Sequence, residues 1–184
     1  MFVDDTKIYY VKDFLTSEEL ELLDRRASTF TLPEATPERV NEYAYEQDRV
    51  HQLVLENDPD REVFLRIDDR LRKLFEEAYS IPENYIVHNV HNFHMLYPPF
   101  KMQEHWDGTT PGVHYGAIIY ITDPSEYEGG EIYYTKLGIK IRPARGSIIL
   151  HPGTEDYEHG VAAVTEGLRV AISVFVEDKS FMVQ

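Results

Sequence analysis

Between residues 61 and 78 the apolar positions recur at helical spacing. Val63, Phe64, Ile67, Leu71, Leu74, Phe75 and Ala78 share one stripe, while Arg66, Asp69, Arg72, Lys73 and Glu76 take the opposite face. This predicts a helix with Asp58 as its cap and Pro59 in its first turn. Upstream, Thr16 and Glu19 stand at capping-box spacing and predict a helix through about Arg26, with Leu20, Leu22 and Leu23 adding apolar surface. Residues 30–57 carry Pro33 and Pro37 among scattered polar positions and read as a long irregular excursion, of a length that often carries function. After residue 85 the period changes. Short β-branched and aromatic runs at 85–97, 114–122, 131–135, 138–142, 147–151, 159–164 and 169–176 are broken by Asp123-Pro124-Ser125, Gly129-Gly130, Pro152-Gly153 and Glu166-Gly167. Strands at this spacing behind helices predict an α+β, mainly β domain, a sandwich or barrel with helices packed outside. With no repeat or linker, residues 1–184 read as one domain, helical to about 84 and sheet-forming over about 85–178.

Composition narrows the chemistry. The formal charge of −15 disfavours a nucleic-acid partner, which would need a basic stripe that the chain lacks. The absence of cysteine removes disulfides, thiolate metal sites and a cysteine nucleophile together. The acidic start, Met1-Phe2-Val3-Asp4-Asp5, lacks the apolar core of a signal peptide, and no apolar run approaches the ~20 residues needed to span a bilayer. A soluble protein of cytoplasmic type, without a membrane partner, is expected.

A metal site here must use imidazole and carboxylate. The chain has one H-x-D, at His105-Trp106-Asp107, whose outer residues point the same way on an extended segment. With eight His in 184 residues, about half a match arises by chance, so the pair alone is weak. A third ligand must come from elsewhere. After Asp107 the choices are His114, His151 and His159. His114 sits just across a turn. His159 heads the apolar run 160–164, where a strand would bring it beside the first pair. Ten residues further, past Glu166-Gly167, Arg169 opens the next strand, either as a surface cation or with its guanidinium near the metal, where it would bind a dicarboxylate's remote end.

His105-x-Asp107 … His159 … Arg169 resembles the signature of the iron(II)/2-oxoglutarate-dependent dioxygenases, and is most similar to their prolyl 4-hydroxylase-like branch. Tyr97, eight residues before His105, resembles the branch's co-substrate tyrosine. Residues 117–134 (AIIYITDPSEYEGGEIYY) resemble its strand, Asp-containing turn and Gly-Gly-Glu strand. Residues 141–153 (IRPARGSIILHPG) resemble its Pro-x-x-Gly-Ser strand, and residues 10–23 its entry into the first helix. The resemblance implies a double-stranded β-helix (jelly roll) with the N-terminal helices packed on one sheet. It implies Fe(II) on His105, Asp107 and His159, and 2-oxoglutarate held at its far carboxylate by Arg169 and Tyr97. It further implies O₂ as oxidant, ascorbate as reductant, release of succinate and CO₂, and hydroxylation of a peptidyl substrate, prolyl first, or of an amino acid or other small molecule. Arg169 departs from the Lys usual in animal and plant prolyl 4-hydroxylases, which loosens the prolyl assignment.

Other residues carry weaker expectations. Trp106 should face away from the metal, as packing or as cleft lining. Tyr43 and Tyr45, within 32–51, read either as part of a lid over a substrate cleft or as an inert surface loop. His88, His91 and His94 imitate a metal string, but on a strand a spacing of three sends neighbours to opposite faces. His151 reads as a strand end, with a supporting role near the metal as the alternative. The rival readings are a cupin-like metal-binding module, a catalytically inactive jelly-roll protein and a nucleic-acid base hydroxylase.

Overall fold

The computed structural model describes residues 2–3, 6–30, 32, 58–87, 92–178 and 180. Helix α1 (Ser17–Ala27) opens on the predicted capping box. Thr16 Oγ1 accepts from the Glu19 N–H at 3.2 Å, and the Glu19 carboxylate accepts from the Thr16 N–H at 2.8 Å. Helix α2 (Arg61–Tyr79) buries Phe64, Ile67, Leu71 and Phe75 along its predicted stripe. It begins later than Asp58 implied. That carboxylate instead shapes the preceding turn, accepting from the Asp60 N–H at 2.8 Å and pairing with Arg26 of α1, and Pro59 sits inside this turn.

The strands, in chain order, are β1 (Phe2–Val3), β2 (Ile8–Val11), β3 (Tyr85–Val87), β4 (Asn92–Leu96), β5 (Met102–His105), β6 (Val113–Tyr120) and β7 (Tyr127–Gly129). There follow β8 (Ile132–Tyr134), β9 (Ile139–Ile141), β10 (Ile148–Pro152), β11 (His159–Val161), β12 (Val164–Gly167) and β13 (Arg169–Asp178). The larger sheet runs β1-β2-β10-β6-β13-β3, and β4 pairs with the start of β13 on the edge that β3 continues. The smaller sheet runs β5-β11-β8-β9, and β12 with β7 forms a separate ribbon. Every pairing is antiparallel.

Alternation along the central strands builds two cores. Ala117 and Ile119, Ile148 and Leu150, and Val170, Ile172 and Val174 pack against α1 and α2. Ile118, Tyr120, Ile149 and Ala171 point the other way and meet Ile132 and Tyr134 of the smaller sheet. Each such fully buried side chain contributes roughly 1.5–3 kcal/mol, so the register of the large sheet is strongly specified. The result is a double-stranded β-helix with its helices on one sheet.

Several elements differ from the pattern expected of the sequence. The N-terminal part is not only helical, for β1 and β2 extend the large sheet and Ile8 is fully buried there. Strands β5, β7 and β12 were not predicted as runs; each has three or four residues and half or more of its positions polar or glycine. The run at 159–164 divides into β11 and β12, and Glu166-Gly167 ends β12 rather than standing free between strands.

Candidate metal centre

His105 ends β5 and His159 begins β11, and the two are directly opposed in the antiparallel ladder. Opposed residues project on one face, and the two rings lie 4.6 Å apart. Asp107 follows in a single 3₁₀ turn (Asp107–Thr109), which is anchored by the Gly108 N–H donating to the Gly153 carbonyl at 2.8 Å. One donor atom from each of His105, Asp107 and His159 lies within 4.8 Å of the others.

Both imidazoles are oriented the same way. His105 Nδ1 lies 2.9 Å from the Gln103 carbonyl and His159 Nδ1 lies 3.0 Å from the Tyr157 carbonyl, each two residues upstream. A carbonyl only accepts, so both Nδ1 atoms carry the proton and both Nε2 lone pairs are free to bind a metal. Asp107 and His159 are buried, whereas His105 is half-exposed. Burial pushes the Asp107 carboxyl up to about 6, against a smaller downward pull from His105. Burial also brings His159 down to about 4, helped by the His105 ring. A two-nitrogen, one-oxygen donor set on three convergent side chains, two of them buried, suits a divalent first-row metal such as Fe(II) and leaves further coordination positions open.

Two hollows meet at these ligands. One, a cavity of about 50 Å³, lies between the sheets and is lined by His94, Ile118, Ile132 and Arg169. The other lies outside, lined by Gln103, Glu104, Thr109 and Thr110, and shares His105 and Asp107 with the first. Arg169 opens β13 and is 2% exposed. Its guanidinium carbon lies 5.2 Å from the centre of the Tyr120 ring. Burial raises the Tyr120 phenol, and the Arg169 charge and side-chain contact lower it; among the described residues Arg169 Nε has no hydrogen-bond partner. Tyr127 also feels burial first and Arg169 second. A buried cation with an unpaired donor, lining a cavity, is what an anionic ligand satisfies.

The remaining sequence candidates fall out differently. Tyr97 is half-buried, packs edge-on against Phe100 at 4.8 Å, and does not line the inner cavity. Trp106 is half-buried and lines neither hollow. His114 is exposed and stacks on Tyr85 at 4.7 Å, well away from a ligand role. His94 is buried inside and lines the cavity near Arg169; burial first, then Arg169, brings it down to about 3. His151 is buried beside Asp107. Tyr43, Tyr45, His88 and His91 lie outside the described residues. Sequence reasoning missed Tyr120. Its spacing of two from Ile118 gives the face it shares, but nothing in the sequence sets it against Arg169.

No family model matches the chain. A PKHD-type hydroxylase of Parvibaculum lavamentivorans is 42% identical over 65 residues, covering 33% of this chain and 27% of that protein. Prolyl 3-hydroxylase 2 of Homo sapiens is 35% identical over 66 residues, covering 33% of this chain and 9% of that one. The matches therefore span less than a third of those relatives. Among solved structures, a prolyl hydroxylase of Trichoplax adhaerens in complex with a hypoxia-inducible-factor oxygen-degradation-domain peptide fragment aligns with TM-score 0.71 at 14% identity, over 98% of this chain and 89% of that one. A viral collagen prolyl hydroxylase of Paramecium Bursaria Chlorella virus-1, in its 2-oxoglutarate complex, aligns with TM-score 0.69 at 16% identity, over 95% and 97%. The chain is prolyl 4-hydroxylase-like in fold.

Proposed function

We propose that this protein is an Fe(II)- and 2-oxoglutarate-dependent dioxygenase that hydroxylates an unactivated C–H bond, with a prolyl residue of a peptide as first candidate and an amino acid as second. One observation carries the reading: His105, Asp107 and His159, whose donors converge, line the same cavity as the buried Arg169.

Each residue then has a defined task. His105 and His159 present Nε2, fixed by their Nδ1 contacts to backbone carbonyls. Asp107 supplies the third donor and charge neutralisation. Arg169 binds the far carboxylate of 2-oxoglutarate. The partner role expected of Tyr97 passes in this reading to Tyr120, whose ring lies against the guanidinium. Ile118, Ile132 and Ala171 line the space between and exclude water. The outer hollow beside Gln103 and Glu104 receives the substrate. When bound, ferrous iron supplies O₂ activation coupled to decarboxylation of the co-substrate to succinate and CO₂.

The test is succinate release with Fe(II), 2-oxoglutarate, O₂ and ascorbate, screened over proline-containing peptides and free amino acids. A product heavier by one oxygen is expected from one class, with turnover abolished in Asp107→Ala and His159→Ala. Turnover that survives both substitutions would sink the proposal. A cupin-like binding module is the second reading, favoured by His151 as another imidazole beside Asp107; it gives Arg169 no role, and it predicts metal binding without succinate. The charge of −15 argues against nucleic acid as substrate.

A further inference from the structure

Building on the metal-centre reading above, we infer that Gly116 and His151 form a cradle that decides which oxygen Asp107 presents to the metal, which makes His151 a positioning residue. The two oxygens of Asp107 have different neighbours. Oδ1 lies 3.8 Å from His105 Nε2, on the ligand side. Oδ2 lies 3.6 Å from His151 Nε2, on the side of the large sheet. His151 of β10 and Gly116 of β6 are directly opposed in that sheet, so the imidazole and the bare Cα form one wall beneath the carboxylate.

The wall is rigid. His151 is 1% exposed and is wedged edge-on between His159, at 4.4 Å, and Tyr134, at 5.5 Å. Among the described residues its Nδ1 meets no partner at full hydrogen-bonding geometry. Its Nε2 faces an oxygen that only accepts, so Nε2 is the protonated nitrogen. At 3.6 Å the contact is longer than a hydrogen bond; it acts as a fixed N–H dipole directed at one oxygen in a site that excludes water.

Gly116 supplies the room. A Cβ at this position would overlap Asp107 Oδ2 and stand 3.1 Å from His151 Nε2. Any larger residue would therefore push the carboxylate toward the two ligand imidazoles. Held against the wall, Asp107 offers the metal Oδ1 alone and keeps a coordination position open for a chelating co-substrate. His151 is not a fourth ligand in this arrangement: among the described residues, the one set of three whose donor atoms all lie within 4.8 Å of each other is His105, Asp107 and His159.

The experiment titrates Mn(II) alone into the full chain, reading free ion by electron paramagnetic resonance, together with the melting temperature of each metal-free variant. H151F keeps bulk but loses the N–H, and should weaken Mn(II) binding by about 10–100-fold, the usual range for groups that orient a metal ligand. H151Q retains an N–H donor and should recover most of that loss. G116A should weaken binding comparably while its metal-free melting temperature stays close to wild type, because the overlap is with the end of a side chain. Should H151F fail to fold, H151L against H151Q repeats the comparison. Wild-type affinity in H151F and G116A overturns the cradle. So does complete loss of metal in H151Q and H151F alike, which would make His151 a ligand. If Asp107→Ala binds Mn(II) as wild type does, the metal-centre reading itself fails and the cradle falls with it.

Discussion

At the scale of single residues, Arg169 is the most informative side chain. A guanidinium that is 2% exposed carries a large desolvation penalty unless something anionic meets it. Among the described residues its surroundings supply an aromatic face and phenols, and no carboxylate pairs with it as one does with Arg26, Arg70 and Arg145. On the function proposed above, a dicarboxylate co-substrate would resolve this by bringing its remote carboxylate to the guanidinium. Arg169→Gln should therefore raise the apparent KM for 2-oxoglutarate by about 10–150-fold, the equivalent of roughly 1.5–3 kcal/mol for a hydrogen bond to a charged group. Tyr120→Phe, which removes a neutral donor, should cost about tenfold or less. The effect should fall on KM for co-substrate while metal affinity holds. An Arg169→Gln variant with unchanged KM would remove the guanidinium from the co-substrate site.

Among elements, the junction of α1 and α2 shows how capping and packing share one residue. Glu19 closes the capping box at the start of α1 and accepts from both Arg70 Nη atoms of α2, at 3.1 and 2.7 Å. Burial alone would raise its pKa; the Arg70 hydrogen bonds and the Thr16 N–H outweigh it, so the carboxyl sits below its ordinary 4.5. A depressed carboxyl contributes stability that is present above the unfolded-state value and lost as pH falls through the folded one. Arg70→Met leaves Glu19 buried with no cation beside it and only the Thr16 N–H to meet its charge. The cost at pH 7 should be about 2 kcal/mol, less than the 3–5 kcal/mol of fully buried pairs because Arg70 is a third exposed. The difference from wild type should narrow below pH 4.5, as Glu19 is protonated in the variant first. Urea unfolding at pH 7 and pH 4 measures both; a gap that widens in acid would contradict the assignment.

The same elements show what the sequence disclosed. The capping box and the stripe from Phe64 to Phe75 were legible because helical periodicity is local and the cap residues have few other uses. The long strands β6, β10 and β13 were legible from their β-branched runs. Strand β5 was not, for Met102-Gln103-Glu104-His105 buries only its first residue and pairs only through β11, a partner more than fifty residues away. The ligand pair stood out as a motif, and His159 through its position ahead of an apolar run. Tyr120 and Gly116 did not, because an inward tyrosine in an apolar strand and a mid-strand glycine gain meaning only once Arg169 and Asp107 are seen to lie against them.

For the whole molecule, the site is a joint between layers. His105 and His159 belong to the smaller sheet, while Asp107 lies on the turn that leads into β6 of the larger one, against Gly116. A metal bound by all three ties the two sheets across the cavity, and each ligand exchanges a desolvated donor for a bond. Since the unfolded chain cannot assemble these donors, metal binding is linked to global stability. At a metal concentration a hundred times the dissociation constant, the linkage contributes about 2.7 kcal/mol. For a chain of 184 residues this corresponds to a rise in melting temperature of roughly 5–10 °C. Calorimetry with and without Mn(II) should show that rise, EDTA should reverse it, and 2-oxoglutarate should add to it only when the metal is present. His159→Ala should abolish the shift. An equal shift in that variant would assign the stabilisation to cation binding on the acidic surface, which the charge of −15 makes the competing source, and raising the salt to 0.5 M separates the two because it screens surface charge and leaves a buried coordination site bound.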